Sequence, residues 1–188
     1  MRSLNRLGTR SASLPLPADE VIEFHAARLL LLLNVCGTAS RIDGLTKMAK
    51  LDFFARYPEF FEIARAKVQP QDESRGRDSD AGAIESAMVR HHYGPWDKRY
   101  YHVLANLEGK RLINVGKEKN YYRIALTQAG IERAKALASK ASYASLVERM
   151  RDIKKTFGGR TGSSLKDLIY QLFDEEVGRK PMGEVIER

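Results

Sequence analysis

The part of this chain that most restricts its fold is residues 97–126. Asp97 stands where a helix cap belongs, and Tyr100, Tyr101, Leu104 and Leu107 follow at helical spacing toward Glu108, on the inner side of the helix. Gly109 is placed to end that helix as a C′ glycine. Residues 111–115 then alternate as a strand, 116–120 form a polar turn, and 121–126 read as the return strand. Thr127 caps a further helix that continues past Ala138. A two-stranded ribbon is not stable alone in water, so its apolar side must pack on the flanking helices.

Helix, strand, basic turn, strand, helix is the order of a winged helix. The chain is therefore expected to be mainly α with a small two-stranded β-wing: a winged helix-turn-helix followed by a C-terminal helical extension. Residues 1–18 read as a disordered basic arm, 19–140 as the winged-helix domain with a mobile loop over 69–82, and 141–188 as the extension. Within the domain, Asp19 is placed to cap a first helix that runs to Cys36 and stops at Gly37. Val21, Phe24, Leu29, Leu32 and Val35 surround that helix with apolar side chains, which predicts a buried central element. Asp43 is placed to cap a second helix, Leu45–Arg56, with Lys47, Lys50 and Arg56 left as its polar residues. A short third helix follows over 59–68. Residues 69–82 hold no large apolar side chain, a helix is predicted over 83–90, and 93–96 reads as a turn. In the extension, an amphipathic basic helix over 142–157 and an apolar-striped helix over 163–173 flank the loop Gly158-Gly159-Arg160-Thr161-Gly162.

Several function classes are excluded at this stage. Leu29 to Leu33 are consecutive leucines, yet Glu23, His25 and Arg28 precede them and Gly37 closes the run, short of the about 20 residues a membrane span needs. The single cysteine, Cys36, can form neither an internal disulfide nor a cysteine-based zinc site, which fits a reducing, cytoplasmic setting. His91 and His92 are adjacent and so do not share a helix face, and with His102 they lack a carboxylate or thiol at ligand spacing. The glycine-rich loop at 158–162 opens a helix but lacks the spacing and the Lys-Ser/Thr pair of a phosphate-binding loop, and reads as an interhelix turn. No nucleophile triad or nucleotide fingerprint is present. The expectation is a non-enzyme with no cofactor, no metal, no membrane and no small-molecule substrate.

Binding is better supported. Lys and Arg number 32 against 24 Asp and Glu, a net charge of +8, which favours anionic partners; solubility alone could also account for it. From Met88 to Arg123 the basic residues are Arg90, Lys98, Arg99, Lys110, Arg111, Lys117, Lys119 and Arg123, eight against the three acids Asp97, Glu108 and Glu118. Seven of them, Lys98, Arg99, Lys110, Arg111, Lys117, Lys119 and Arg123, are the candidate phosphate contacts, on the helix and wing that can approach a duplex. Asn, Gln and Arg side chains that would read base edges are scarce on the exposed side of helix 97–108, so backbone contact is expected over sequence readout. A second basic cluster, Arg149, Arg151, Lys154, Lys155 and Arg160, lies in the extension and suits DNA or an acidic protein surface.

Two resemblances rest on these residues. Residues 101–113, with Tyr101, Leu104, Leu107, Gly109 and Leu112, and residues 122–130, with Tyr122, Leu126, Thr127 and Gly130, resemble the helix-plus-wing of PadR- and MarR-like proteins. Residues 44–58 from Gly44 through Asp52 to Tyr57 and Pro58 form the first block of a longer resemblance. Residues 90–97, with Tyr93, Gly94, Pro95, Trp96 and Asp97, form the second, and Leu165 to Tyr170 with Gly183 to Ile186 the third. Together they resemble the small middle components of bacterial ABC-three-component conflict systems, of which Lamassu-type defence is one. That resemblance implies a non-catalytic winged-helix subunit that binds an SMC-like ABC ATPase and links it to an effector subunit. It carries no catalytic motif. The other resemblance implies instead a dimeric transcriptional regulator whose terminal helix pairs with its symmetry mate.

Overall fold

A helix buried on all sides sets the centre of the molecule. In the computed structural model, which describes residues 21–69, 88–91 and 94–186, α1 (Ile22–Val35) carries Leu29 to Leu33 with almost no exposure. An apolar run that wraps a whole helix must be covered on every side. The cover comes from α2 (Leu45–Arg56), α4 (Tyr100–Gly109), α5 (Gln128–Ala138), α6 (Ala144–Phe157) and a small sheet. Between α2 and α4 lie α3 (Pro58–Val68) and a hairpin of β2 (Val89–His91) and β3 (Gly94–Trp96). After α6 come α7 (Gly162–Leu172) and a π-helical turn, Asp174–Gly178. The chain is mainly helical with a small antiparallel sheet, as expected.

That sheet has three strands rather than the expected two. β4 (Ile113–Lys117) and β5 (Tyr122–Leu126) form the hairpin, and β1 (Arg41–Asp43) pairs with β5 to give the order β1-β5-β4. Asp43 is therefore a strand residue, not a helix cap; Gly44 holds the cap position of α2. β1 is delivered by a tight turn in which Thr38 and Arg41 exchange backbone hydrogen bonds and Ala39 and Ser40 both adopt left-handed φ, 50° and 57°. Such turns match strand twist but are normally made by Asn and Gly. The register Ile113↔Leu126, Val115↔Ile124 and Lys117↔Tyr122 points Ile113, Ile124 and Leu126 into the core.

Other expectations are corrected. Residues 89–91 are a strand, not the end of a helix, and 94–96 are its partner strand rather than a turn. The two strands pair with each other, Val89 opposite Trp96, and the C-terminal segment runs beside β2, with Arg90 N–H donating to the Glu184 carbonyl and Ile186 N–H to that of Met88. Helix α4 is not ended by a left-handed Gly109. It includes Gly109, and Arg111, at φ 57°, takes the C′ position. The Leu112 N–H donates to the Leu107 carbonyl and the Arg111 N–H to that of Glu108, which is the Schellman pattern two residues later than expected. Tyr101 lies on the outer side of α4, and Val103 replaces it inside. Arm 1–18, the cap residue Asp19, most of loop 69–82 and residues 83–87 lie outside the described residues.

Residues 141–186 share one core with the rest. Phe157 of α6 stacks on Phe54 of α2 at 4.7 Å between ring centroids and meets Phe61 of α3 edge-on. Phe173, just after α7, meets Phe60 edge-on at 4.6 Å. Each such pair adds about 0.5–1.5 kcal/mol to area burial. Two glycines permit close approaches between separate elements. A Cβ on Gly130 would stand 1.9 Å from the Leu112 carbonyl oxygen, and one on Gly162 would stand 2.8 Å from the Lys47 amide nitrogen.

Candidate nucleic-acid interface

The tip of the β4–β5 hairpin is exposed. Inward-facing Ile113, Val115, Ile124 and Leu126 anchor its base, and the alternation carries Lys117 and Tyr122 out on the same face, directly opposite each other. Lys117 and Lys119 are exposed and have no ion-pair partner among the described residues. Glu118, between them, is taken by Arg123 at 2.9 Å. Arg123 also pairs with Asp43 of β1 at 3.3 Å and donates to the Tyr121 hydroxyl. It braces the two strands, with its charge already balanced by two carboxylates.

The other first-cluster residues divide similarly. Lys98 and Arg111 are exposed and without an ion-pair partner among the described residues. Lys110 pairs with Glu23 of α1 at 3.6 Å, across water-exposed side chains where such a pair contributes little. Arg99 is half-buried, donating to His25 Nε2 at 3.0 Å. The outward face of α4 presents Tyr101, His102 and Ala105, with Lys98 just before the helix, which leaves one cation and one imidazole for any groove.

The second cluster is not one surface. Arg149 donates to the Ala55 carbonyl in the last turn of α2 at 2.7 Å, and Lys154 to the Gly37 carbonyl just past α1 at 3.0 Å. These cations sit on helix C-termini, where unpaired carbonyls concentrate negative charge. Arg160 reaches Ser164 at 3.3 Å across the interhelix turn, in which Thr161 caps α7. Arg151 and Lys155 point outward.

A group of buried charges escaped the sequence reading. Asp52, fully buried on α2, accepts from Arg28 Nε at 2.8 Å and Nη2 at 3.3 Å, and from the Tyr100 hydroxyl at 2.7 Å. Arg56, one turn on, stands 3.7 Å from Asp52 and donates to Asp97 at 2.9 Å. Asp97 also accepts the Arg99 N–H, so it does sit at the start of α4, tied to α2 rather than acting as the cap residue itself. Burial alone would raise Asp52 and lower Arg56; their attraction, with Arg28 beside Asp52, reverses both, and Asp52 titrates below the usual carboxylate range. Tyr100, raised well above its usual value by burial and then by Asp52, stays a donor. Lys50 is buried as well, donating to the Pro95 carbonyl at 2.8 Å, and burial followed by Lys166 lowers it to about 7. Lys50 and Arg56 are thus interior, against the expectation of polar surface positions. Their signal was present in the sequence: Lys50, Asp52 and Arg56 interrupt a segment otherwise made of Met48, Ala49, Leu51, Phe53, Phe54 and Ala55, so no free polar face remained for them.

The thiol of Cys36 is buried against the Met150 carbonyl, and burial pushes it up to about 12, which is the environment of an inert cysteine. His91 stacks on Trp96 at 5.6 Å, while His102 is exposed on α4. Among the described residues no group of His, Cys, Asp or Glu is placed to hold a metal ion, and no helix is long and apolar enough to cross a membrane. Compared with known protein families, curated proteins and solved structures, the chain matches none.

Proposed function

We propose that this chain is a non-catalytic winged-helix adaptor that rests its wing on the phosphate backbone of double-stranded DNA. One observation carries the reading: the strand order β1-β5-β4, with α4 leading directly into β4, is compatible with a winged helix, and its hairpin tip holds two exposed lysines without ion-pair partners among the described residues. Lys98 just before α4 and Arg111 just after it supply the nearby charge. Backbone contact is favoured over base readout because α4 offers so few base-reading side chains.

On the resemblance to ABC-three-component middle components, the partner is an SMC-like ABC ATPase. The chain couples that ATPase to an effector subunit in bacterial defence against phages and plasmids, in the cytoplasm. The PadR- or MarR-like alternative, a dimeric transcriptional regulator, asks a terminal helix to pair with a second copy. Here the apolar faces of α6 and α7 are spent inside the chain, through Val147, Met150, Ile153, Phe157, Leu165 and Ile169.

The test is duplex binding measured across salt concentrations. Each phosphate contact contributes a slope of about −0.9, so four free cations predict about −3 to −4. Exchange of Lys117 and Lys119 for Glu weakens binding and flattens that slope by about 2. Affinity unchanged by the exchange means that the wing faces protein. Co-purification with the products of neighbouring genes tests the partner: an ATPase retained on the chain supports the adaptor, and a stable homodimer on a palindromic site refutes it.

A further inference from the structure

The wing tip is more than a pair of cations. Tyr121 and Tyr122 follow Lys117, Lys119 and Asn120 in one turn, and both rings lie outside the core, 41% and 42% exposed. A tyrosine that only supports a fold buries its ring and leaves its hydroxyl wet. These two are instead exposed, at the tip of the hairpin. Tyr122 stands opposite Lys117 in the register, and Arg123 donates to the Tyr121 hydroxyl. Aromatic rings interleaved with lysines have one chemical match among nucleic acids. A paired duplex hides the faces of its bases in the stack, and proteins that wedge into it use Phe, Leu, Ile, Met or Pro. Unpaired bases expose their faces and stack on Tyr, while the adjoining phosphates meet Lys.

We infer that the wing tip stacks an unpaired base, so that the target of this surface is duplex DNA carrying a single-stranded segment. This rests on the duplex-backbone reading above and narrows it.

The experiment compares the full chain on two labelled probes, a blunt duplex and the same duplex with a short single-stranded overhang that contains a fluorescent purine analogue. The overhang probe binds more tightly by on the order of tenfold, and the analogue is quenched on binding. The double substitution Tyr121→Leu and Tyr122→Leu removes both the preference and the quench while leaving blunt-duplex affinity in place. Tyr121→Phe with Tyr122→Phe keeps both, because the rings and not the hydroxyls stack. Melting curves of the variants that overlay the parent show that the fold is intact. Equal affinity for the two probes, or a preference that survives in the leucine variant, overturns the inference. A chain that binds blunt duplex through Lys117 and Lys119 but shows no preference sinks this inference and leaves the adaptor reading standing. A chain that binds neither probe sinks both.

Discussion

Asp52→Asn is the sharpest test of how this interior is held. Arg28, Arg56, Asp52 and Asp97 form a buried set of two cations and two anions, with side-chain exposures of 5% or less. The amide keeps the size of the carboxyl but removes one negative charge, so two guanidiniums are left facing one carboxylate away from water. Breaking a buried pair by removing one partner costs about 3–5 kcal/mol. An Asn oxygen still accepts from Arg28 or Tyr100, which places this change near the lower end, about 3 kcal/mol. For a chain of this length that lowers the melting temperature by about 6–12 °C. Thermal and urea unfolding measure it, and an unchanged urea slope shows that the loss lies in the native state. Adding Arg28→Met restores the balance of charges, leaving Arg56 with Asp97, and the double variant recovers part of the loss. Asp52 titrates below its ordinary value of 3.8, so its contribution is full above about pH 4 and is lost as pH falls through the depressed value. Acid unfolding of the Asn variant is correspondingly shallower. A cost under about 1 kcal/mol, or a double variant no better than the sum of the single changes, would refute the reasoning.

Three more outcomes follow from the same structure. Lys50 is uncharged in the fold above about pH 7 but charged in the unfolded chain up to 10.5, so the unfolded state holds the extra proton and stability rises across that window; Lys50→Met removes the rise and stabilises the protein below pH 7, as read from melting temperature against pH. Ser40→Gly with Ala39→Asn relieves two left-handed residues, and Arg111→Gly a third; each set stabilises by about 0.5–1 kcal/mol in urea unfolding. Gly130→Ala drives a methyl into the Leu112 carbonyl at the junction of α4, β4 and α5, and costs about 3 kcal/mol by the same measurement.

What could be read from the sequence was what neighbours in sequence decide. Helix α2 begins and ends where its apolar spacing predicts, and Thr127 caps α5 by accepting the Gly130 N–H at 3.0 Å. The hairpin was legible because its polar turn and alternating strands lie side by side. β1 was not, because Ala39 and Ser40 carry no turn signature and the strand is only three residues long. β2 and β3 were not, because each is only three residues long, and the segment that runs beside β2 lies some ninety positions away. In the candidate interface, the positions of Lys117 and Lys119 were read correctly as the tip of a hairpin. The duties of Arg123, Arg149 and Lys154 were hidden, since a cation that closes a strand pair or a helix end looks in sequence like one that waits for a phosphate.

That division of labour would let a basic chain present the small binding face proposed for it. Arg123 holds β5 to β1 through Asp43 and to the turn through Glu118, so the tip keeps its direction even though its strands are short. Helix α4 is fixed by charges at the other end of the face: Tyr100 donates to Asp52, and Asp97 binds both Arg56 and the Arg99 amide. Apolar contact would hold α4 against α1 with little preference for its rotation, because dispersion has no direction. A charge-assisted hydrogen bond has a direction as well as a distance. The start of α4, with Lys98 just before it and Tyr101 in its first turn, is thus aimed by residues that themselves never reach the surface. On the proposed reading, net charge overstates the reach of the interface. The cations it leaves on this face for a partner are Lys98, Arg111, Lys117 and Lys119, which have no ion-pair partner among the described residues.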